Sequence, residues 1–249
     1  MMPDISEYGL IGRGISHSFS ADFFNDKFKK EDIKAEYLMF DLEEIDELPG
    51  IIRRHSLLKG LNVTSPYKRV VVPYLTELSI EAQELNAVNV IKICNRSGIL
   101  KLKGFNTDCL GFRETIKGML PKGSKAAVLG SGGASSAVCY ALIEEGVHPQ
   151  IVSRKEDKGN MNYAMFNETI PEFDIIINAT PIGMYPHTVA CPDVDFSKVR
   201  PGQIFYDLIY NPAQTIFLRK ASEKGARIFN GLPMLKNQAM LSWEIWNSK

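Results

Sequence analysis

The chain has 249 residues, 45% hydrophobic and 23% charged, with 29 Lys and Arg balanced by 29 Asp and Glu. At roughly 150 residues per domain this length holds one large domain or two modest ones, and it can bury a core without covalent staples. Zero net charge argues against a nucleic-acid-binding surface, which needs a basic excess; a local cationic pocket for one phosphorylated ligand stays open. Cys94, Cys109, Cys139 and Cys191 lie 15, 30 and 52 residues apart. With no CxxC and no Cys/His cluster of zinc spacing, neither a disulfide framework nor a bound metal is expected. The opening MMPDISEYGL lacks a basic stretch followed by an apolar one, and no run nears the roughly 18 apolar residues of a membrane span. A soluble, cytoplasmic protein with no membrane partner is expected.

Along the first hundred residues strand-like and helix-like pieces alternate. Tyr8–Gly12 is a short apolar run closed by glycine, and Phe19, Phe23, Phe24 and Phe28 then mark one face of a helix. Ala35–Asp41 reads as a strand, Leu42–His55 as a helix and Gly60–Thr64 as a strand, while Pro73 keeps any helix in Lys68–Leu75 short or kinked. Ala87–Cys94 and Leu100–Phe105 flank the turn Asn95-Arg96-Ser97-Gly98 as a strand pair. A helix opens at Asp108, and a fresh βαβ unit begins with Lys125–Leu129, continuing through a helix at Ser135–Glu145 to a strand at Gln150–Ser153. Ile175–Asn178, Ile204–Leu208 and Arg227–Asn230 are further strands, and Leu232–Asn247 is a terminal helix with Leu235, Ala239, Leu241, Trp243 and Trp246 as candidate buried positions. The alternation implies α/β architecture in two domains joined by helices.

Gly130-Ser131-Gly132-Gly133-Ala134-Ser135 follows a strand and opens a helix, as a dinucleotide fingerprint requires. Glycines permit a tight turn and close backbone approach to a pyrophosphate, and the helix N-terminus adds amide donors. Ser135 stands where Gly or Ala is usual. The next strand ends Val152-Ser153-Arg154-Lys155, with no acid before Glu156 to accept from a ribose 2′-hydroxyl; Arg154 and Lys155 suit a 2′-phosphate, which favours NADP over NAD.

Four segments of the first half are too polar for plain core: Ser16–Ser20, Gly60–Lys68, Ala87–Asn89 and Gly104–Asp108. Helix capping by Ser18 or Ser20, and by Thr107 or Asp108, explains single residues. Four such segments at strand ends suit a small polyhydroxylated substrate. Lys68 and Asp108 are the candidate chemical pair, because reducing a ketone by hydride requires a proton at the nascent alkoxide.

These motifs, with Asn178-Ala179-Thr180-Pro181-Ile182-Gly183-Met184, Tyr206-Asp207-Leu208-Ile209-Tyr210-Asn211-Pro212 and Asn230-Gly231-Leu232-Pro233-Met234-Leu235, occur in the order seen in shikimate dehydrogenases. The chain resembles that family from Gly9 to Trp246. The resemblance implies NADPH-dependent, reversible reduction of 3-dehydroshikimate to shikimate in aromatic amino-acid biosynthesis. It implies an N-terminal substrate-binding domain (residues 1–108 with 232–249) and a Rossmann-type NADP-binding domain (109–231) with a cleft between them, in a monomer or homodimer. Ser18 and Ser20 would meet the substrate carboxylate; Asn62, Thr64, Asn89 and Gln238 the ring hydroxyls or neighbouring groups; Lys68 and Asp108 the reacting oxygen; and Tyr210 would line the pocket. Gly130, Gly132, Gly133 and Ala134 would hold the pyrophosphate, Ser153, Arg154 and Lys155 the 2′-phosphate, and Leu208 and Gly231 the nicotinamide.

The chain departs from the family at three places. Ala21 stands where Pro is usual and Phe24 where His is common, which predicts altered local packing. Ser153-Arg154-Lys155 replaces the usual Asn-Arg-Thr/Ser. Only 25 residues separate Ser153 from Asn178, so part of a helix or strand is expected to be missing, with a more open adenine side and weaker NADP affinity. The alternatives are a quinate/shikimate dehydrogenase with dual or NAD preference, and a catalytically silent nucleotide-binding descendant; the latter would be expected to have lost Lys68 or Asp108.

Overall fold

The computed structural model describes residues 5–15, 18–96, 99–154 and 159–248. The expectations placed on Ser16, His17 and Lys155 lie outside these residues. The chain divides into two compact units, Met1–Thr107 with Ala239–Lys249, and Asp108–Gln238.

The first unit runs β1 (Ser6–Gly12), α1 (Phe19–Lys30), β2 (Ala35–Asp41), α2 (Leu48–Arg54), β3 (Leu58–Val63), β4 (Glu77–Leu78), α3 (Ile80–Leu85), β5 (Val90–Arg96) and β6 (Ile99–Phe105). Its sheet has the order β2-β1-β3-β5-β6-β4. β1 pairs parallel with β2 and β3, while β3–β5 and β5–β6 are antiparallel. Period-two alternation sends side chains to both faces. Ile11, Leu61, Val63 and Ile91 pack with Leu48, Ile51 and Tyr67 on one face, and Tyr8, Leu10 and Val90 with Phe24, Phe28, Tyr37 and Trp246 on the other.

Trp246 shows how closely the second face is fitted. Its indole lies where a Cβ on Gly60 would stand, and its Nε1 donates to the Ile91 carbonyl at 3.1 Å. Trp246→Ala should cost roughly 3–5 kcal/mol, read as a lower urea midpoint; a loss below about 1 kcal/mol would contradict this packing. Phe24, the departure from a common His, is fully buried and stacks on Tyr37 with centroids 5.0 Å apart and planes 13° off parallel. An imidazole there would replace apolar contact with a polar ring.

α4 (Thr107–Ile116) leads into the second unit, with β7 (Lys125–Leu129), α5 (Gly133–Glu144), β8 (His148–Val152), α6 (Tyr163–Thr169), β9 (Ile175–Asn178), β10 (Ile204–Asp207), α7 (Ile216–Ser222) and β11 (Arg227–Phe229), followed by α8 (Leu232–Asn247). Its sheet is parallel throughout in the order β11-β10-β9-β7-β8. This is a doubly wound sheet whose direction of growth reverses between β7 and β9, the switch point where such sheets bind ligands. A full six-stranded version would carry one more strand beyond β8. Among the described residues that place holds only an isolated bridge between Val152 and Met161, which accounts for the short Ser153–Asn178 spacing.

The unit boundaries differ from those expected. The chain crosses at Thr107/Asp108 and again at Gln238/Ala239, so residues 232–238 of α8 belong with the second unit and not the first. The cause is a close helix contact: a Cβ on Gly111 of α4 would lie 2.9 Å from the Gln238 nitrogen and 3.0 Å from the Met234 carbonyl oxygen. Of the candidate buried positions in α8, Ala239 and Trp246 are buried, while Leu235, Leu241 and Trp243 are half-buried. Leu42–His55 is not one helix but a 3-10 turn at Ile45–Glu47 followed by α2, where Pro49 fits the first turn.

Candidate active site and cofactor pocket

In the first unit the polar segments meet at the carboxyl ends of β1, β3 and β6 and the amino end of the antiparallel β5. Ser18 caps α1, its hydroxyl accepting from the Ser20 amide at 3.2 Å, so the capping reading holds for this residue. The Tyr37 hydroxyl donates to Asn62 Oδ1 at 2.7 Å and has Ser20 as a further partner. Asn62 Nδ2 donates to Ser242 Oγ at 3.1 Å and towards the Asn89 carbonyl at 3.4 Å. Asn89 Oδ1 accepts from the Thr107 amide at 2.7 Å, and its Nδ2 donates to Thr107 Oγ1 at 3.0 Å. Asn62, Asn89, Thr107 and Ser242 are all buried. A satisfied network of this kind stiffens the backbone that bears it, and here it spans four of the expected site segments. Burial drives the Tyr37 phenol well above its ordinary range, so it remains a donor.

Thr64 and Lys68 lie on the loop after β3. Tyr67 pins this loop from below: its ring is buried and its hydroxyl donates to the Leu42 carbonyl at 2.6 Å. The Tyr67 amide donates to the Thr64 carbonyl at 2.9 Å, and the Lys68 carbonyl accepts from the Val88 amide at 2.7 Å. Lys68 is half-buried on this fixed backbone. A Cβ on Gly12 would come within 2.5 Å of Thr64 Cγ2, so the glycine closing β1 makes room for Thr64.

In the second unit, taken by itself, Asp108 is half-buried in the first turn of α4. Gln238 is buried, its Nε2 donating to the Leu235 carbonyl at 3.0 Å. Tyr210 is exposed on the segment after β10. Gly231 approaches Leu208 so closely that a Cβ would fall on the Leu208 carbonyl.

At the end of β7, Gly130 takes φ +108°, a conformation that L side chains rarely adopt. Its amide donates to the Val152 carbonyl at 2.8 Å, tying the turn to β8. A Cβ on Gly132 or Gly133 would meet nothing within 4 Å. Ser135, just beneath, is fully buried and its hydroxyl has no hydrogen-bond partner. The turn borders a cavity of about 920 Å³, lined among others by Ser153, Arg154, Tyr163, Thr180, Ile182 and Asp193. An open glycine cradle, exposed amides at a helix start, and an arginine on the same cavity are the donors a phosphorylated dinucleotide requires. The residues present fit NADP. The Tyr163 phenol is raised chiefly by burial and further by Asp193, with Arg154 acting against them, so both charges face this ring.

Asp207 ends β10 fully buried. Its carboxylate accepts from Thr215 Oγ1 at 2.6 Å, the Ile209 amide at 3.0 Å and Asn178 Nδ2 at 3.1 Å. Asn178 in turn accepts from the Thr180 hydroxyl at 2.6 Å and its amide at 3.1 Å. Burial pushes the Asp207 carboxyl up to about 6, against the pull of its hydrogen bonds. The native state therefore holds this proton more tightly than the unfolded chain. Stability from this group is full below about pH 4 and lost as pH rises through about 6, roughly 3 kcal/mol in all.

A sequence profile described as the shikimate dehydrogenase substrate binding domain matches residues 10–91. The shikimate dehydrogenase (NADP(+)) of Caldanaerobacter subterraneus subsp. tengcongensis is 37% identical over 97% of this chain and 91% of its own length. The chain belongs to the shikimate dehydrogenase family. Shikimate 5-dehydrogenase from Thermus thermophilus, in complex with NADP(H) and shikimate, matches it with a TM-score of 0.84 at 31% identity, over 97% of this chain and 93% of that one. Quinate dehydrogenase from Corynebacterium glutamicum, in complex with NAD, matches with a TM-score of 0.86 at 25% identity, over 97% and 93%.

Within this shikimate dehydrogenase family chain, four residues of the two polar regions carry no local sequence signal. Tyr37 sits in a strand where an aromatic reads as core, and Ser242 is a small residue in a terminal helix. Asp193 follows β9 in an irregular stretch. Asp207 lies inside the Tyr206–Pro212 motif and at the end of an apolar strand, yet nothing nearby in sequence shows what its carboxylate meets. One usable sign is that Ser242 stands four residues after Gln238, which places both on one helix face. Among the described residues there is no cluster of three potential metal ligands and no helix long and apolar enough to cross a membrane.

Proposed function

We propose that the chain catalyses the reversible, NADP-dependent interconversion of 3-dehydroshikimate and shikimate. The carrying observation is the likeness to an NADP(+)-dependent shikimate dehydrogenase over 97% of the chain. NADPH, when bound, supplies the reducing equivalent. The glycine turn at Gly130, Gly132, Gly133 and Ala134 offers amides and the positive end of α5 to the pyrophosphate. Arg154, with Ser153 and Lys155, takes the 2′-phosphate, and Leu208 and Gly231 flank the nicotinamide. Ser18 and Ser20 take the substrate carboxylate, Asn62, Thr64, Asn89 and Gln238 its ring hydroxyls, and Tyr210 borders its pocket. Lys68 exchanges the proton with the reacting oxygen, and Asp108 is assigned to that oxygen by its motif.

The deciding assay follows the absorbance of reduced nicotinamide as purified protein is offered shikimate or quinate with NADP or NAD. Shikimate with NADP should give the highest kcat/KM. Quinate turnover equal to that of shikimate would favour the dual-substrate alternative, and no turnover in any arm would remove the activity. Arg154→Ala should raise KM for NADP by roughly tenfold or more, the worth of a charge-assisted phosphate contact, and leave KM for shikimate unchanged. Equal effects on both constants would contradict the 2′-phosphate assignment.

A further inference from the structure

We infer that Asp207 biases the cofactor site toward the oxidised dinucleotide, its buried carboxylate placing negative charge beside the nicotinamide seat and favouring the cationic ring of NADP⁺ over the neutral ring of NADPH. The inference rests on the cofactor site proposed above. Asp207 immediately precedes Leu208, whose carbonyl is the group that Gly231 approaches most closely. Its hydrogen-bond partners are a hydroxyl, a backbone amide and a side-chain amide, all neutral. Among the described residues no ion pair to Asp207 occurs, so none of them neutralises it by direct contact.

The hydrogen bonds alone do not require an acid. A neutral amide would satisfy Ile209 and Asn178 through the same oxygen, and Thr215 can rotate its hydroxyl to accept. The fold instead keeps a fully buried acid where burial opposes its ionisation. A cost of this kind at a strand's carboxyl end is the mark of a charge with a use. The elements packed against it contribute few other charges. Asn178 from β9 and Thr215 before α7 do not titrate. Beyond them Cys191 feels both Asp207 and the cationic Lys220 of α7, and burial raises the Cys191 thiol, which keeps it neutral where Asp207 ionises. At an effective dielectric near 20, one charge within about 12 Å of the cationic ring favours it by about tenfold.

The test measures Kd for NADP⁺ and NADPH separately by titration calorimetry, in the wild type and in Asp207→Asn. The variant should weaken NADP⁺ binding by about tenfold and change NADPH binding by less than about twofold. Equal weakening of both forms would show a purely structural residue and overturn the inference, as would no change in either. A second arm needs no variant. In the wild type the preference for NADP⁺ should shrink as pH falls from about 8 to about 5, because Asp207 takes up its proton near 6. The 2′-phosphate titrates in both dinucleotides and cancels in the ratio. A ratio independent of pH would overturn the inference, and failure of both dinucleotides to bind would overturn the cofactor site itself.

Discussion

Lys68→Ala should lower kcat for shikimate oxidation by roughly 10²–10⁴ while KM for shikimate changes only a few-fold. The structure makes this a clean test, because groups that the substitution leaves in place hold the backbone around Lys68. Tyr67 holds the loop from beneath through its buried ring and its bond to the Leu42 carbonyl. The Lys68 carbonyl, which the substitution leaves in place, accepts from the Val88 amide. Truncation should therefore remove a proton-transfer group without moving Thr64 or Asn89. Lys68→Arg should not restore turnover, since guanidinium does not give up its proton near neutral pH. Steady-state kinetics with shikimate and NADP, alongside an unchanged thermal midpoint, check both parts. Turnover within a few-fold of wild type would remove Lys68 from the chemistry and reopen the reading as a nucleotide-binding protein without catalysis.

What the sequence made legible follows from how local each signal is. β2, β7 and β9 have the bounds expected of them: β7 and β9 as near-continuous buried runs that declare themselves within a few residues, and β2 as a mostly uncovered edge strand. The glycine turn was equally readable, since Gly130 needs its conformation for reasons inside one turn. Short elements were not. β4 is two residues long, and α3, α6 and α7 span six or seven, too few for a helical period to stand out. Ser79, Asn162 and Thr215 cap those three helices, yet a single capping residue is common in loops. The missing stretch beyond β8 could be counted as residues, but only the fold shows that it is a strand's place, marked by the Val152–Met161 bridge.

The site was legible in its residue types and not in its wiring. Asn62 and Asn89 could be named from their motifs. That Asn62 reaches Ser242, 180 positions away, is a property of the folded sheet and the returning helix. Such a network is long-range by construction, and no spacing rule in the chain encodes it. Asp207 is the same lesson with a charge. Its neighbours in sequence are ordinary strand residues, and its environment is assembled from Asn178 and Thr215 on other elements.

Gly231→Ala should destabilise the second unit by roughly 3 kcal/mol or more, in the range left by overpacking against backbone. The colliding atom makes the case. Around Gly146 or Gly50 a new methyl group would meet the movable side chain of Lys122 or Arg54. At Gly231 it would coincide with the carbonyl of Leu208, a backbone group with no rotamer to change. That carbonyl cannot retreat alone, because the Leu208 amide donates to the Asn178 carbonyl at 3.0 Å and the Gly231 amide donates to the Ile209 carbonyl at 3.1 Å. Any relief must shift the end of β10 or the start of α8, and the first of these carries Asp207 with its three hydrogen bonds. The damage should therefore reach cofactor binding before it reaches the whole fold: Kd for NADP should rise more than about tenfold even in the fraction that folds. Urea unfolding and calorimetric titration with NADP⁺ measure the two effects. A stable Gly231→Ala protein that binds NADP⁺ as the wild type does would mean that the close approach of Gly231 to Leu208 is not required, and would take the nicotinamide seat away from this pair.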